Sequence, residues 1–315
     1  MKILIVGGAG YVGGTATDLL LRMSHTIRVY DALLYEAAYQ KPVEFIRGDV
    51  RDTEKLAPHL DWADAVIWLA AVVGDGACAL YPDVAREVNE DAVTWLAKEY
   101  DGRIIFPSTS MVYGAQGGEL TEQTPLAPVS LYAKTKAVAE QALAQSNAII
   151  FRFGTLFGAG DKYTRPRFDL VAHLFLRLAM TGKPMTVRGG TQMRALLHVC
   201  DAARMLVAAC ETSHTGTFNL HGQNVSVGEI AKTVKSIIPE ATITLEPAEV
   251  VVSGNYSLSS AKARAQLGFS PSMTLEEGLR ELEERLLARH LNTLYDSRYS
   301  NEAFVKEHPL HLWKK

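Results

Sequence analysis

The chain has 315 residues, 48% of them hydrophobic and 21% charged, which is long enough for two domains or one elaborated domain around a large core. A net charge of −3 with no local Lys/Arg run argues against nucleic acid as the main partner. Three cysteines without C-x-x-C spacing, scattered histidines without an H-E-x-x-H pair and no long apolar stretch argue against a disulfide framework, a metal site and a membrane span.

Met1 to Asp31 reads as strand, glycine loop, helix and strand. Ile3-Leu4-Ile5-Val6 is followed by Gly7-Gly8-Ala9-Gly10-Tyr11-Val12-Gly13, a helix from Thr15 to Met23, and Ile27-Arg28-Val29-Tyr30-Asp31. In this spacing Gly7 takes the tight turn, Gly10 lets a diphosphate approach the backbone, and Gly13 packs the helix against the sheet. The helix N-terminus turns free N–H groups and partial positive charge toward the diphosphate. The spacing departs by one residue from the commonest dinucleotide loop. Its specificity comes from the strand before it, the helix after it, and an acidic residue ending the second strand about twenty positions on. Asp31 can accept from ribose hydroxyls and would repel a 2′-phosphate, so NAD is expected rather than NADP. With no charged and apolar leader before the first strand, a cytoplasmic location is expected.

Alternation continues through strands at Val43–Ile46 and Ala65–Leu69, with a helix between them from Thr53 to Leu60 after a candidate Asp52 cap. Such repetition implies a parallel sheet with right-handed crossovers. Asp49 and Val50 lie just past the third strand, where they can meet an adenine edge or simply form a turn. Leu69-Ala70-Ala71 closes the fourth strand with small residues suited to a backbone passing close to the cofactor. A helix from Asp83 to Tyr100 and a strand from Arg103 to Pro107 lead into Ser108-Thr109-Ser110-Met111-Val112-Tyr113-Gly114. Ser130 can cap a helix running to Gln145, in which Tyr132 and Lys136 share a face one turn apart. Ala148 to Phe153 is a sixth strand. Beyond it the regular alternation fails, through a polar stretch from Gly160 to Asp169 and a helix to Met180.

The expected organisation is therefore a doubly wound parallel sheet over residues 1–154, to which 196–221 return as helix and strand. A smaller α/β unit for substrate follows over 155–315. Further helices are expected at Ser226–Ile238, Ala261–Leu267 and Thr274–His290. The last stretch holds Tyr295, Tyr299, Phe304 and Trp313, too aromatic for a free disordered end.

NAD can oxidise an alcohol if a base takes the hydroxyl proton while hydride leaves the carbon. A free tyrosine, with a pKa of about 10, is too weakly ionised for this. The Lys136 ammonium and the nicotinamide charge, each worth roughly 1–3 units at close range, are expected to bring Tyr132 into a working range. Thr109 would hold the reacting oxygen, and Lys136 would also bond the nicotinamide ribose.

Taken together, the glycine loop, Asp31, Ser108-to-Gly114, Tyr132-x-x-x-Lys136 and Arg152-to-Gly158 resemble the extended short-chain dehydrogenase/reductase family, in its nucleotide-sugar epimerase/dehydratase branch. The resemblance implies a Rossmann domain plus a substrate domain, a homodimer through helices Asp83–Tyr100 and Leu131–Gln145, and Thr109, Tyr132 and Lys136 as the catalytic set. It implies cofactor contacts from Gly7, Gly10, Tyr11, Val12, Asp31, Asp49, Val50, Leu69, Ala70, Ala71, Phe153, Tyr132 and Lys136. Substrate contacts are implied for Val73, Ser110, Thr155, Arg167 and Arg194, the last in a segment whose arginine meets a sugar-nucleotide diphosphate.

There are departures. Dehydratases of the branch carry Asp-Glu after the catalytic Thr, where this chain has Ser110-Met111. The usual Asn of the Arg152 segment is Thr155, and Val251 to Ser257 holds no second diphosphate-binding arginine. The leading expectation is an NAD-dependent epimerase that transiently oxidises a ring hydroxyl, at C4, of a nucleotide sugar. The alternatives are a 4-oxidase or keto-reductase of such a sugar, and more remotely a non-catalytic NAD sensor.

Overall fold

The computed structural model describes residues 1–247, 256–288 and 294–310. β1 (Lys2–Val6) is a continuous apolar run whose last four residues are fully buried, the pattern of a strand covered on both faces. α1 (Tyr11–Leu20), β2 (Thr26–Asp31), β3 (Glu44–Arg47), α2 (Thr53–Trp62) and β4 (Ala65–Trp68) follow. Three helical pieces come next: α3 (Asp75–Leu80), α4 (Pro82–Arg86) and α5 (Ala92–Glu99), the last two joined by a π-helical turn at Glu87–Asp91. β5 (Arg103–Thr109), β6 (Gly118–Leu120), α6 (Leu131–Ala142), β7 (Ala148–Phe153) and β8 (Thr155–Phe157) complete the first half. The second half runs α7 (Val171–Met180), β9 (Met185–Arg188), β10 (Met193–His198), α8 (Val199–Ala208), β11 (Gly216–Leu220), β12 (Gln223–Ser226) and α9 (Val227–Ile237). It ends with β13 (Ile243–Glu246), β14 (Tyr256–Leu258), α10 (Ala261–Leu267), α11 (Leu275–Leu287) and α12 (Asn301–Glu307).

Seven strands form one parallel sheet in the order β11-β7-β5-β4-β1-β2-β3. The chain builds outward from β1 through β2 and β3, then restarts at β4 on the other side of β1. That reversal leaves a crevice at the carboxyl ends of β1 and β4, where open α/β sheets bind ligands. Successive side chains of β1 face opposite ways: Ile3 and Ile5 pack with Ala16 and Leu20 of α1 and Leu206 of α8, and Leu4 and Val6 with Leu56, Leu96 and Ala139. The fold is thus a Rossmann-type doubly wound sheet. A smaller three-stranded sheet, β12-β10-β8, lies beside a separate core drawn from α7, α9 and α11.

Several boundaries differ from expectation. α1 begins at Tyr11 rather than Thr15, because Gly10 already occupies the cap position in extended geometry, and it stops at Leu20. β3 begins at Glu44, β4 ends at Trp68 and α6 ends at Ala142. The helix expected from Asp83 to Tyr100 is split by the π turn, which carries one extra residue and turns Asn89 inward. Asn89 Oδ1 accepts from Val72 N at 2.8 Å, and its Nδ2 donates to Val72 O at 3.0 Å and Thr135 Oγ1 at 3.2 Å. Ser226 and Thr274 close capping boxes with Glu229 and Glu277, so α9 and α11 start one residue after the expected positions. His290 of the expected Thr274–His290 helix, Val251 to Asn255 and Trp313 lie outside the described residues.

Candidate active site

A cleft of about 670 Å³ opens at the crevice, and the catalytic, cofactor and substrate candidates named from the sequence line it. Gly7, Gly10, Tyr11 and Val12 come from the β1–α1 turn, Asp31 from the end of β2, and Asp49 and Val50 from the loop after β3. Leu69, Ala70, Ala71 and Val73 follow β4, Thr109 ends β5 with Ser110 just after it, and Tyr132 and Lys136 face in from α6. Phe153 and Thr155 lie where β7 passes into β8, Arg167 precedes α7, and Arg194 is on β10.

The glycines of the first turn do different work. Gly7 has φ +86°, and a Cβ there would lie 2.4 Å from Ala70 N, so glycine is imposed by the fold. At Gly13 a Cβ would lie 2.6 Å from Gly8 Cα. At Gly10 the nearest atom to a Cβ is Gly7 O at 3.5 Å, an ordinary contact, so the protein itself does not require glycine. That Cβ would fill the cradle in front of the α1 N-terminus, where a diphosphate needs the bare backbone. Asp31 Oδ2 accepts from Ala9 N at 2.9 Å and Oδ1 from Leu33 N at 2.7 Å, and desolvation raises its pKa while these two donors pull it back. Leu33 itself sits at φ +55°, a backbone conformation rare outside glycine, at this edge of the cleft. The residues present fit a dinucleotide with free ribose hydroxyls. Asp49 lines the cleft, and its carboxylate also accepts from Arg51, from Nη2 at 2.7 Å and Nε at 3.0 Å. Val50, 6% exposed, is the apolar residue beside it.

Ser130 caps α6 by accepting from Ala133 N at 3.2 Å, which sets the helix phase that turns Tyr132 and Lys136 into the cleft. α6 is anchored from behind by a buried pair, Arg152 of β7 and Glu140, with Nη2 donating to Oε2 at 2.6 Å. Arg152 Nη1 also donates to Tyr113 Oη at 2.8 Å, and that hydroxyl donates to Asn219 Oδ1 at 2.7 Å. Lys136 Nζ donates to Pro107 O at 2.9 Å and lies 4.4 Å from the Phe106 ring centre. Burial lowers Lys136 to about 8. Thr109 Oγ1 accepts from Met111 N at 3.2 Å at the mouth of β5.

The expected sign for Tyr132 is overturned in the protein alone. Burial raises its pKa well above the usual tyrosine value, and Cys78 and Asp75 push the same way. The cation acting against them is Arg167, whereas Lys136 has its own charge weakened by burial and donates to a carbonyl. Asp169 holds Arg167 by two bonds, Nε to Oδ1 at 2.9 Å and Nη2 to Oδ2 at 2.7 Å. Arg194 Nη1 donates to Met193 O at 2.8 Å.

Sequence reasoning missed residues that support this constellation. His173 of α7 is fully buried; its Nε2 accepts from Gly158 N at 3.0 Å, which fixes Nδ1 as the protonated nitrogen that donates to Arg167 O at 3.1 Å. Tyr11 Oη donates to Gly158 O at 2.6 Å, so the glycine loop is tied to the same corner. Arg165 is buried with its guanidinium 3.9 Å from the Tyr35 ring centre and donates to Asn301 Oδ1. Only the aromatic content of the C-terminal stretch hinted that it packs on the body of the protein.

The family model described as Epimerase, NAD dependent epimerase/dehydratase family, matches residues 3–221. Among curated relatives, an uncharacterized UDP-glucose epimerase YtcB of Bacillus subtilis (strain 168) is 27% identical over 89% of this chain and 96% of its own length. UDP-glucuronic acid decarboxylase 1 of Arabidopsis thaliana is 28% identical over 93% of this chain and 71% of its own. Among solved structures, MoeE5 in complex with UDP-glucose and NAD superposes with a TM-score of 0.79 at 25% identity, covering 91% of this chain and 99% of that one. By its glycine loop, its doubly wound sheet and a match over most of its length, this chain belongs to the NAD-dependent epimerase/dehydratase family of extended short-chain dehydrogenase/reductase enzymes.

Proposed function

We propose that this enzyme epimerises a nucleotide-activated sugar at C4 through transient oxidation of the ring hydroxyl to a ketone. The observation that carries the reading is that Thr109, Tyr132 and Lys136 line the same cleft as a glycine turn that fits NAD. Relatives named for UDP-glucose and UDP-glucuronic acid favour a uridine diphosphate sugar as substrate. Ser110-Met111, in place of an acidic pair, disfavours dehydration.

Bound NAD supplies the hydride acceptor and a positive ring charge. Tyr132 Oη takes the C4 hydroxyl proton as the C–H bond breaks and gives it back when hydride returns to the other face of the ketone. Thr109 Oγ1 holds the reacting oxygen, and Arg167 provides a field that favours the Tyr132 phenolate. Lys136 holds the nicotinamide ribose and fixes which face reacts. Arg194, Arg167, Val73, Ser110 and Thr155 contact the substrate. In this reading residues 1–154 with 196–221 carry the cofactor, the rest of 155–315 carries the sugar nucleotide, and two copies pair through α4, α5 and α6.

The test is to denature purified protein, identify the released nucleotide, and incubate the intact enzyme with UDP-glucose, UDP-galactose, UDP-glucuronate and UDP-galacturonate. Retained NAD and interconversion of a C4 pair without added cofactor are expected. Net NADH formation on one sugar would replace the reading with a 4-oxidase. Tyr132→Phe should keep NAD and lose at least about 100-fold in turnover.

A further inference from the structure

The C-terminal stretch lies against the reacting end of the cleft. Asn301 opens α12 and is 3% exposed. Its Nδ2 donates to Val73 O at 2.8 Å in the loop after β4, and its Oδ1 accepts from Arg165 Nη2 in the loop before α7. One amide thus joins a loop of the cofactor sheet to a loop on the substrate side. Phe304, Val305 and Leu310 stand behind it, in a single apolar cluster with Val72, Cys78 and Tyr132. Phe304 packs on Tyr35 at 5.0 Å between ring centres, on the ring that also carries the Arg165 guanidinium. The Glu302 side chain lies directly over Gly76 of α3, in the space a Cβ there would take. Ser300, Asn301, Glu302 and Leu310 face the cleft itself.

A tail that merely covered apolar surface would need only apolar contacts. Burying an amide is unfavourable unless both ends find partners, and both partners of Asn301 belong to loops that border the cleft. Fixing those loops keeps water away from the phenol of Tyr132 and strengthens every charge interaction there.

We infer that α12 is a wall of the catalytic cleft and that Asn301 is a positioning residue, clamping the Val73 loop to Arg165 beside Tyr132 and shielding the hydride-transfer end from water. This rests on the reading of Tyr132 as the base.

The test uses the full-length protein loaded with NADH and acrylamide as a neutral, water-borne quencher of its fluorescence. In the parent, bound NADH should be quenched several-fold less than free NADH; equal quenching would overturn the inference without any variant. Asn301→Leu removes both amide bonds, and Phe304→Ala loosens α12 while leaving Asn301, Arg165 and Val73 in place. Each should raise the quenching constant at least about threefold with little change in NADH affinity. Asn301→Asp keeps the acceptor for Arg165 and should fall between parent and Asn301→Leu. A cycle of Asn301→Leu with Arg165→Met should be non-additive in quenching, because the two side chains act through one contact. Unchanged quenching in both Asn301→Leu and Phe304→Ala, or full additivity in the cycle, refutes the clamp. Tyr132→Phe should quench like the parent, so an active Tyr132→Phe enzyme would sink the base assignment while leaving the clamp to be judged on its own readout.

Discussion

His173 gives the sharpest prediction about stability. It is fully buried, receives Gly158 N–H on Nε2 and donates Nδ1–H to Arg167 O, so only the neutral ring fits. Burial, reinforced by the Arg167 charge, lowers its pKa from 6.5 to about 4. Between those values the unfolded chain holds the extra proton, so stability present above pH 6.5 is lost as the pH falls toward 4. At about 1.4 kcal/mol per unit, that is about 3 kcal/mol. His173→Phe keeps a ring but strands a buried N–H and a carbonyl, at a cost of about 2–4 kcal/mol near neutrality. The gap between parent and variant should therefore be about 3 kcal/mol at pH 7 and close to nearly zero by pH 4, because the parent alone loses this term. Urea unfolding of both proteins from pH 4 to pH 7, at fixed NAD and salt, measures the gap. A gap that does not change with pH would show that His173 is not held neutral by its two bonds.

The two loop glycines should separate by phenotype. Gly10→Ala should fold with a loss of no more than about 1 kcal/mol yet lose NAD-dependent thermal stabilisation, whereas Gly7→Ala should itself be destabilised by about 2 kcal/mol or more. For Lys136, lowered to about 8 by burial, the unfolded chain binds the extra proton above pH 8, so its contribution rises with pH. The stability difference between parent and Lys136→Met should shift toward the parent by about 2–3 kcal/mol from pH 8 to pH 10, measured by urea midpoints. Glu140→Ala, leaving Arg152 buried without its partner, should cost about 3–5 kcal/mol, while Glu140→Leu combined with Arg152→Met should recover most of it.

The sheet was legible because its strands are short apolar runs bounded by glycine and acidic residues, as in Ile3–Val6 before Gly7 and Ile27–Asp31. The cleft was legible for a related reason: strand ends and helix starts at a topological switch converge whatever the loops between them do. What the pattern hid was either aperiodic or set by distant partners. The π turn is invisible to a 3.6-residue period, since Glu87 to Asp91 look like ordinary helix until Asn89 finds Val72 and Thr135. The bonds from Arg51 to the Asp49 carboxylate were hidden too, because nothing in the local sequence fixes that side-chain pairing. In the protein without NAD, burial outweighs the charges around Tyr132, and that depth of burial cannot be read from a four-residue spacing. His173 gave no signal, its partners being backbone groups at Gly158 and Arg167.

The bond from Asn301 to Val73 spans 228 residues. At the usual pace of translation, about 5–20 residues per second, roughly 10–45 s separate the synthesis of its two ends. The cofactor sheet has all its strands once β11 is made, about 80 residues earlier, so on the proposed function a nascent chain can hold NAD ahead of having a finished cleft. Ribosome pausing late in the message would thus yield cofactor-loaded chains with an open catalytic end, exposing Tyr35, Val72 and Cys78 to chaperones in the interval. Assembly of the site is a late event in the life of the polypeptide, set by the order in which its parts are made.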